Sequence, residues 1–309
     1  MSITADSIES VPTTVDRNAW KALAGSALGY AMDGFDLLIL GFMLRTIASD
    51  LHLSQAQSAS LVTATLIGAV LGGIGFGMLS DRLGRVRILT WTIVVFAMFT
   101  GLCAFAQGYW DLLIYRTIAG VGLGGEFGIG MALVAEAWPA AKRARASSYV
   151  GLGWQTGVLV AAIATPLLLP VIGWRGMFAL GVFPAVAAYF IRASLHEPEV
   201  FVEKSKDHPK ESALHLLVKD SETAKLSLGM IILCSVQNFG YYGLMIWLPT
   251  YLSKTFGYSL TRSGLWTAVT VVGMGIGIWL FGFAADRFAP RVSRSSAPST
   301  NPVSGGYFR

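Results

Sequence analysis

Runs of apolar residues, each long enough to cross a bilayer, alternate with short polar connections along most of the chain. A spanning helix needs about 20 mostly apolar residues. The runs lie near 21–44, 57–79, 88–107, 111–134, 148–171, 174–192, 226–252 and 262–284. Their length is that of helices, whereas a membrane β-barrel would show short alternating strands. The pattern therefore predicts an all-α membrane protein with about eight transmembrane helices.

Polar stretches divide the chain further. Residues 1–19 read as a cytoplasmic tail and 20–192 as a first six-helix bundle. Residues 193–225 read as a cytoplasmic linker, 226–285 as two helices of a partial second bundle, and 286–309 as a disordered Ser/Pro-rich tail. Within the linker, ALHLLVKD suits either a short amphipathic helix on the membrane surface or a plain solvated connection. The first nineteen residues are polar, with Asp6, Glu9 and Asp16, and do not resemble a signal peptide.

Composition agrees with the pattern. Hydrophobic residues make up 54% of the chain and charged residues 13%, against about 25% charged in an average soluble domain. Lipid is the solvent that removes the problem of hiding so much apolar surface. The 35 glycines suit close approach between membrane helices. Cys103 and Cys234 lie far apart in apolar runs without a CxxC partner, so they read as small buried hydrophobes rather than a disulfide or metal site.

The net charge of +5 comes from short basic clusters between the runs, which argues for loops and against nucleic-acid binding. Arg82, Arg85 and Arg87 follow the second run, Lys142, Arg143 and Arg145 the fourth, and Lys204, Lys206, Lys210 and Lys219 lie in the linker. The loops on the other side hold little: Arg45 near the first, none in GYWD after the third, and Arg175 beyond the fifth. By the positive-inside rule the amino terminus is cytoplasmic, in a multi-pass protein of the inner or plasma membrane.

A shift of 205 residues lays Gly68 on Gly273, Gly72 on Gly277, Gly77 on Gly282, Asp81 on Asp286 and Arg82 on Arg287. The same shift sets Asp33 opposite Asn238. The second bundle is thus expected to repeat the first.

Three ionisable groups lie inside apolar runs. Asp33 and Asp36, at i and i+3, share a helical face near mid-membrane. Two carboxylates there are costly if both ionise, so at least one is expected to be protonated or paired with an Arg. Arg116 precedes Gly120 and Gly124 at steps of four, with Phe127 on the same face and Glu126 about 80° away. An Arg within a span costs on the order of 2.5–3.5 kcal/mol on insertion scales. It must find a partner, face water, or reach back to the interface near Asp111.

The segment GMLSDRLGRVR resembles the loop signature of the major facilitator superfamily, through Gly77, Asp81, Arg82, Gly84 and Arg85. RTIAGVGLGGEFG is similar to a second signature of the same family. The resemblance implies a secondary transporter, with Arg116 serving proton coupling or substrate binding. It also implies a charged latch at the loop, which Asp286 and Arg287 would repeat in the second copy. The Asp-Gly-Phe-Asp cluster, AEAWPAAKRARAS, GWRGMF and HEPEVF resemble the organic-acid proton symporters, of the aromatic-acid and the sialate or lactate branches. Residues Ala289 and Pro290 stand where the first copy has Gly84 and Arg85, and the resemblance stops there. A truncated gene or a frameshift is the expectation.

The resemblance assigns proton coupling to Asp33, Asp36 and Arg116. Gln155, Asn238, Tyr241 and Tyr242 are the candidates for substrate contact, although gluing of helices explains such polar groups equally well. The partners implied are a small organic anion, a proton and the lipid bilayer, with no cofactor or metal. The histidines, His52, His196, His208 and His215, show no metal-binding spacing, and no GxxxxGK[ST] loop is present, so no enzyme or ATP-driven pump is expected. The alternatives are a proton-antiport exporter of drugs or metabolites, and a non-transporting fragment or partner-dependent subunit.

Overall fold

The structure, a computed structural model, describes residues 15–193 and 217–295. Among them are eight α-helices and a short 3-10 turn at Ala140–Lys142. The helices are α1 (Arg17–Asp50), α2 (Gln55–Leu83), α3 (Arg85–Cys103), α4 (Tyr109–Ala137) and α5 (Arg143–Leu180). They are followed by α6 (Val182–Ala193), α7 (Ser221–Phe256) and α8 (Leu260–Ser295).

Side-chain caps fix several helix starts. Asp16 accepts from the Ala19 N–H at 2.6 Å to open α1. Ser54 and Gln57 form a reciprocal capping box at α2. Asp220 opens α7, and bonds from the Thr223 backbone and hydroxyl hold its carboxyl below the usual carboxylate range.

Seven of the described helices are long and apolar enough to span a membrane. The run expected at 174–192 takes a different form. Helical structure continues from α5 to Leu180 across a break at Gly173, whose φ of 66° and ψ of 177° belong to a region open essentially only to glycine. The predicted fifth and sixth spans thus meet at this one residue, and α6 completes the sixth. At the other end α8 runs through Arg287 to Ser295, past the boundary expected at 286. Residues 194–216 and 296–309 lie outside the described residues, and with them HEPEVF, the first half of ALHLLVKD and the last part of the tail.

Exposure identifies the lipid surface. Val70, Leu71 and Ile74 of α2 are all at least half exposed, and only 28% of the apolar window of that helix is buried. Such a face is unstable in water and stable in hydrocarbon. Cys103 is buried as expected, but Cys234 is exposed, because the face of α7 that carries it points away from the other helices.

Small residues bring the helices together. Gly68 and Gly72 of α2 face Gly120 and Gly124 of α4 so closely that a Cβ on any of them would overlap a facing carbonyl oxygen. Gly153 and Gly157 of α5 lie in the same way on Ala27 and Ala31 of α1. This is the small-residue packing that replaces a hydrophobic driving force in lipid. Helix α8 lies along α5, with Gly264 against the Ala162 carbonyl and Gly282 against Ser148. Two opposed ends result. Lys142, Arg143 and Arg145 mark a basic end, where α1, α3, α5 and α7 begin; Arg45, Asp50 and Arg175 mark the opposite end.

Candidate functional site

Midway along the first bundle, α1 and α4 bring Asp36 and Arg116 into contact. The guanidinium is fully buried and the carboxylate is 1% exposed. Arg116 donates to both oxygens of Asp36, at 3.0 and 2.5 Å. Thr65 accepts from Nε at 3.4 Å, and the Phe178 ring centroid lies 5.6 Å from the guanidinium carbon. Thr100 donates to Asp36 at 3.4 Å. Arg116 therefore does not reach back to Asp111, whose carboxylate instead accepts from the Gln107 backbone at 3.0 Å. The expectation that an Arg would answer the paired aspartates is met in geometry, with Asp36 as the partner.

Asp33 lies one helical turn toward the basic end and is 1% exposed. It stands within electrostatic reach of Tyr30 and Tyr242. Glu126 turns away from Arg116 toward α3, where its carboxyl meets the Thr92 hydroxyl at 2.6 Å.

Next to Asp33 is a cavity of about 810 Å³, formed by α1, α4, α5, α7 and α8. All four residues expected to contact substrate line it: Gln155, Asn238, Tyr241 and Tyr242. Tyr30, Phe127 and Trp154 join the two tyrosines in an aromatic group, with Tyr30 and Trp154 centroids 4.9 Å apart and Trp154 and Tyr242 6.0 Å apart. From these rings the cavity extends toward the basic end, where Ala144 and Ala285 line it. The amides differ in availability. Asn238 spends a donor on the Cys234 carbonyl at 2.9 Å. Gln155 Oε1 is buried without a hydrogen-bond partner, and its amide nitrogen lies 3.9 Å from the Met274 sulfur. Tyr241 accepts from Trp154 Nε1 at 2.6 Å, so its own proton is available to a neighbour.

Sequence reasoning missed Tyr30, Phe127 and Trp154 as lining residues. Their signal was faint: Tyr30 precedes Asp33 by one turn and Trp154 adjoins Gln155, but aromatic residues are common throughout membrane helices.

The two copies of the loop signature are not equivalent in structure. Arg85 bonds Asp81 at 3.2 Å and both oxygens of Glu136 at 2.8 and 2.9 Å, tying α2 and α3 to α4. Gly84 holds a φ of 110° between α2 and α3, and open space surrounds Gly77. In the second copy Asp286 accepts from the backbone N–H groups of Ala144 and Arg145, at 3.1 and 3.3 Å, and from Arg145 Nε at 2.7 Å. Asp286 thus sits at the positive end of the α5 dipole and joins α8 to α5. Arg82 lines a groove on the lipid side of α2, and Arg287 is exposed. Asp286→Ala is expected to cost about 1.5–3 kcal/mol, the range for hydrogen bonds to charged groups. Thermal unfolding in detergent checks this, and an unchanged midpoint contradicts it.

Residues 26–298 match the Major Facilitator Superfamily. The chain belongs to that superfamily of membrane transporters. It is 67% identical over 286 residues to a Haemophilus influenzae protein named for metabolite transport, covering 90% of this chain and 70% of that one. A Cupriavidus pinatubonensis protein named for 4-methylmuconolactone transport is 34% identical over 230 residues, covering 73% of this chain and 54% of its own. This superfamily member therefore spans between about half and seven tenths of the length of these relatives. In fold it is similar to the solved structure of the proton:xylose symporter XylE, with a TM-score of 0.71 at 19% identity, over 89% of this chain and 70% of that one. Membership places the chain among multi-pass membrane transporters rather than enzymes.

Proposed function

We propose that this protein takes part in proton-coupled symport of a small organic acid anion. One observation carries the reading: a buried Asp36–Arg116 pair with Asp33 one turn away, beside a central cavity lined by aromatic rings and amides. The relative named for 4-methylmuconolactone transport supports an organic acid as cargo. In this reading the basic end is cytoplasmic, in the inner or plasma membrane, and the cavity faces that side.

The roles follow from the surroundings. No Lys, Arg, Asp or Glu lines the cavity among the described residues, so the cargo meets neutral donors and aromatic faces. Gln155, Asn238, Tyr241 and Tyr242 supply those contacts. The arrangement favours Arg116 as the counterion of Asp36 rather than of the cargo. Asp33, between that pair and the cavity, is the group placed to take up and release a proton as water access alternates. Bonds from Asp286 to α5 cross between the two helix groups and must loosen when they rock, while bonds from Asp81 through Arg85 to Glu136 hold α2, α3 and α4 together within the first. Residues 20–192 and 226–285 serve as those two groups.

Asp33→Asn is expected to retain exchange of labelled cis,cis-muconate across a liposome membrane while losing accumulation driven by a pH gradient. Retention of full gradient-driven uptake by both Asp33→Asn and Asp36→Asn removes the coupling assignment.

A further inference from the structure

At the opposite end of the molecule a second cleft, of about 220 Å³, lies where α1 and α2 meet α7. Arg45 and Lys254 line it, together with Gln55 and Thr250, and Trp247 and Leu44 supply an apolar wall. Both cations are exposed. Arg45 donates to the Ser253 hydroxyl at 3.3 Å, a neutral acceptor that leaves its charge uncompensated. Among the described residues neither cation takes part in an ion pair. The carboxylate of Asp50, on the same end, is already engaged by Arg175 at 2.7 Å and Trp174 at 2.9 Å. Gln55 is the first residue of α2, so the positive end of a 29-residue helix dipole adds to the local field.

We infer that this cleft is an outer docking site for a small organic carboxylate, holding its anionic group on Arg45 and Lys254 and its apolar body on Trp247 and Leu44. The inference rests on the organic-acid reading above and adds a second, peripheral site to it. The division of labour is physical. The central cavity has rings and neutral amides but no cation in its lining, so it selects shape and attracts little from a distance. Two uncompensated cations over low-dielectric walls do the reverse, raising the local concentration of anions and their rate of capture. In the present arrangement Trp154 of α5 donates to Tyr241 of α7 beneath the cleft and packs on Tyr30 of α1, which joins the three helices there. A carboxylate docked there waits above a closed route.

Photolabelling of the full chain with 4-azidobenzoate, followed by peptide mass spectrometry, tests this directly. Two peptides are expected to carry label, one containing Trp247 and one containing Tyr30 or Trp154. Arg45→Gln combined with Lys254→Gln is expected to reduce label at the Trp247 peptide about tenfold, the loss that 1.4 kcal/mol of binding brings. Raising salt from about 0.02 to 0.5 M is expected to reduce it likewise, because exposed charges are screened. The charge-retaining pair Arg45→Lys and Lys254→Arg is expected to keep the label, which separates loss of charge from loss of fold. Label on the central peptide alone overturns the outer site and leaves the organic-acid reading standing. Label at Trp247 that persists in the neutralised variant also overturns it. Absence of label from both peptides overturns the outer site and the organic-acid reading together.

Discussion

Arg116→Gln is expected to abolish solute uptake and to destabilise the protein by about 3–5 kcal/mol, the cost of breaking a buried ion pair from one side. The guanidinium is fully buried, bonds both oxygens of Asp36 and lies over Phe178. Once it is gone, the Thr100 hydroxyl at 3.4 Å is the hydrogen bond left to Asp36 among the described residues. A carboxylate left that way in a low-dielectric interior must stay poorly solvated or take up a proton. Combining Arg116→Gln with Asp36→Asn removes both charges, and most of the lost stability is expected to return. Uptake is not expected to return, since no switchable pair remains. Unfolding midpoints of the purified variants, read beside liposome uptake, separate the two effects. A single variant as stable as the parent contradicts the account of the pair.

The second large effect is expected at the seam between α1 and α5. Gly157→Val places a branched side chain where a Cβ alone would overlap the Ala31 carbonyl oxygen. That oxygen belongs to helix backbone and cannot swing aside, so the two helices must separate. Overpacking of this kind costs about 1–3 kcal/mol where neighbours can adjust, and the rigid contact puts this site at or above the upper end. Separation would also move Trp154 away from Tyr30 and Tyr241, so uptake is expected to fail with stability. Gly128 has open space around it, and Gly128→Ala is expected to be neutral or stabilising by about 0.5–1 kcal/mol, the usual gain in a helix interior. Equal behaviour of the two variants in thermal unfolding contradicts the seam.

Much of this architecture is legible in the residues alone, for a reason specific to lipid. A span must satisfy its backbone internally, so length and apolarity nearly determine the helix. The exception at Gly173 shows the limit. The spans predicted at 148–171 and 174–192 are joined by one residue in a glycine-only conformation, with Arg175 the lone charge beside it. The buried ionisable groups stand out because charges are rare in apolar runs. Their pairing does not, since Asp36 and Arg116 are 80 residues apart and which helices touch is decided by small residues spread over four of them.

Cavity-lining groups divide in the same way. Gln155 and Asn238 are conspicuous as amides inside apolar runs. Tyr30 and Phe127 resemble any other aromatic residue of a membrane helix until α1 and α4 set their rings 4.8 Å apart. The internal repeat is legible as a register, and it suggests equal roles for Asp81 and Asp286. Their partners differ because Asp286 meets the start of α5, whereas Asp81 meets Arg85 on the adjoining helix.

Under the proposed function a proton gradient drives movement of an organic acid through this protein. The most direct test is accumulation of labelled cis,cis-muconate by liposomes containing the full chain, with the outside made acidic. The account predicts accumulation above the level reached without a gradient, and its collapse when a protonophore is added. Filling to the same level with and without the gradient would contradict it.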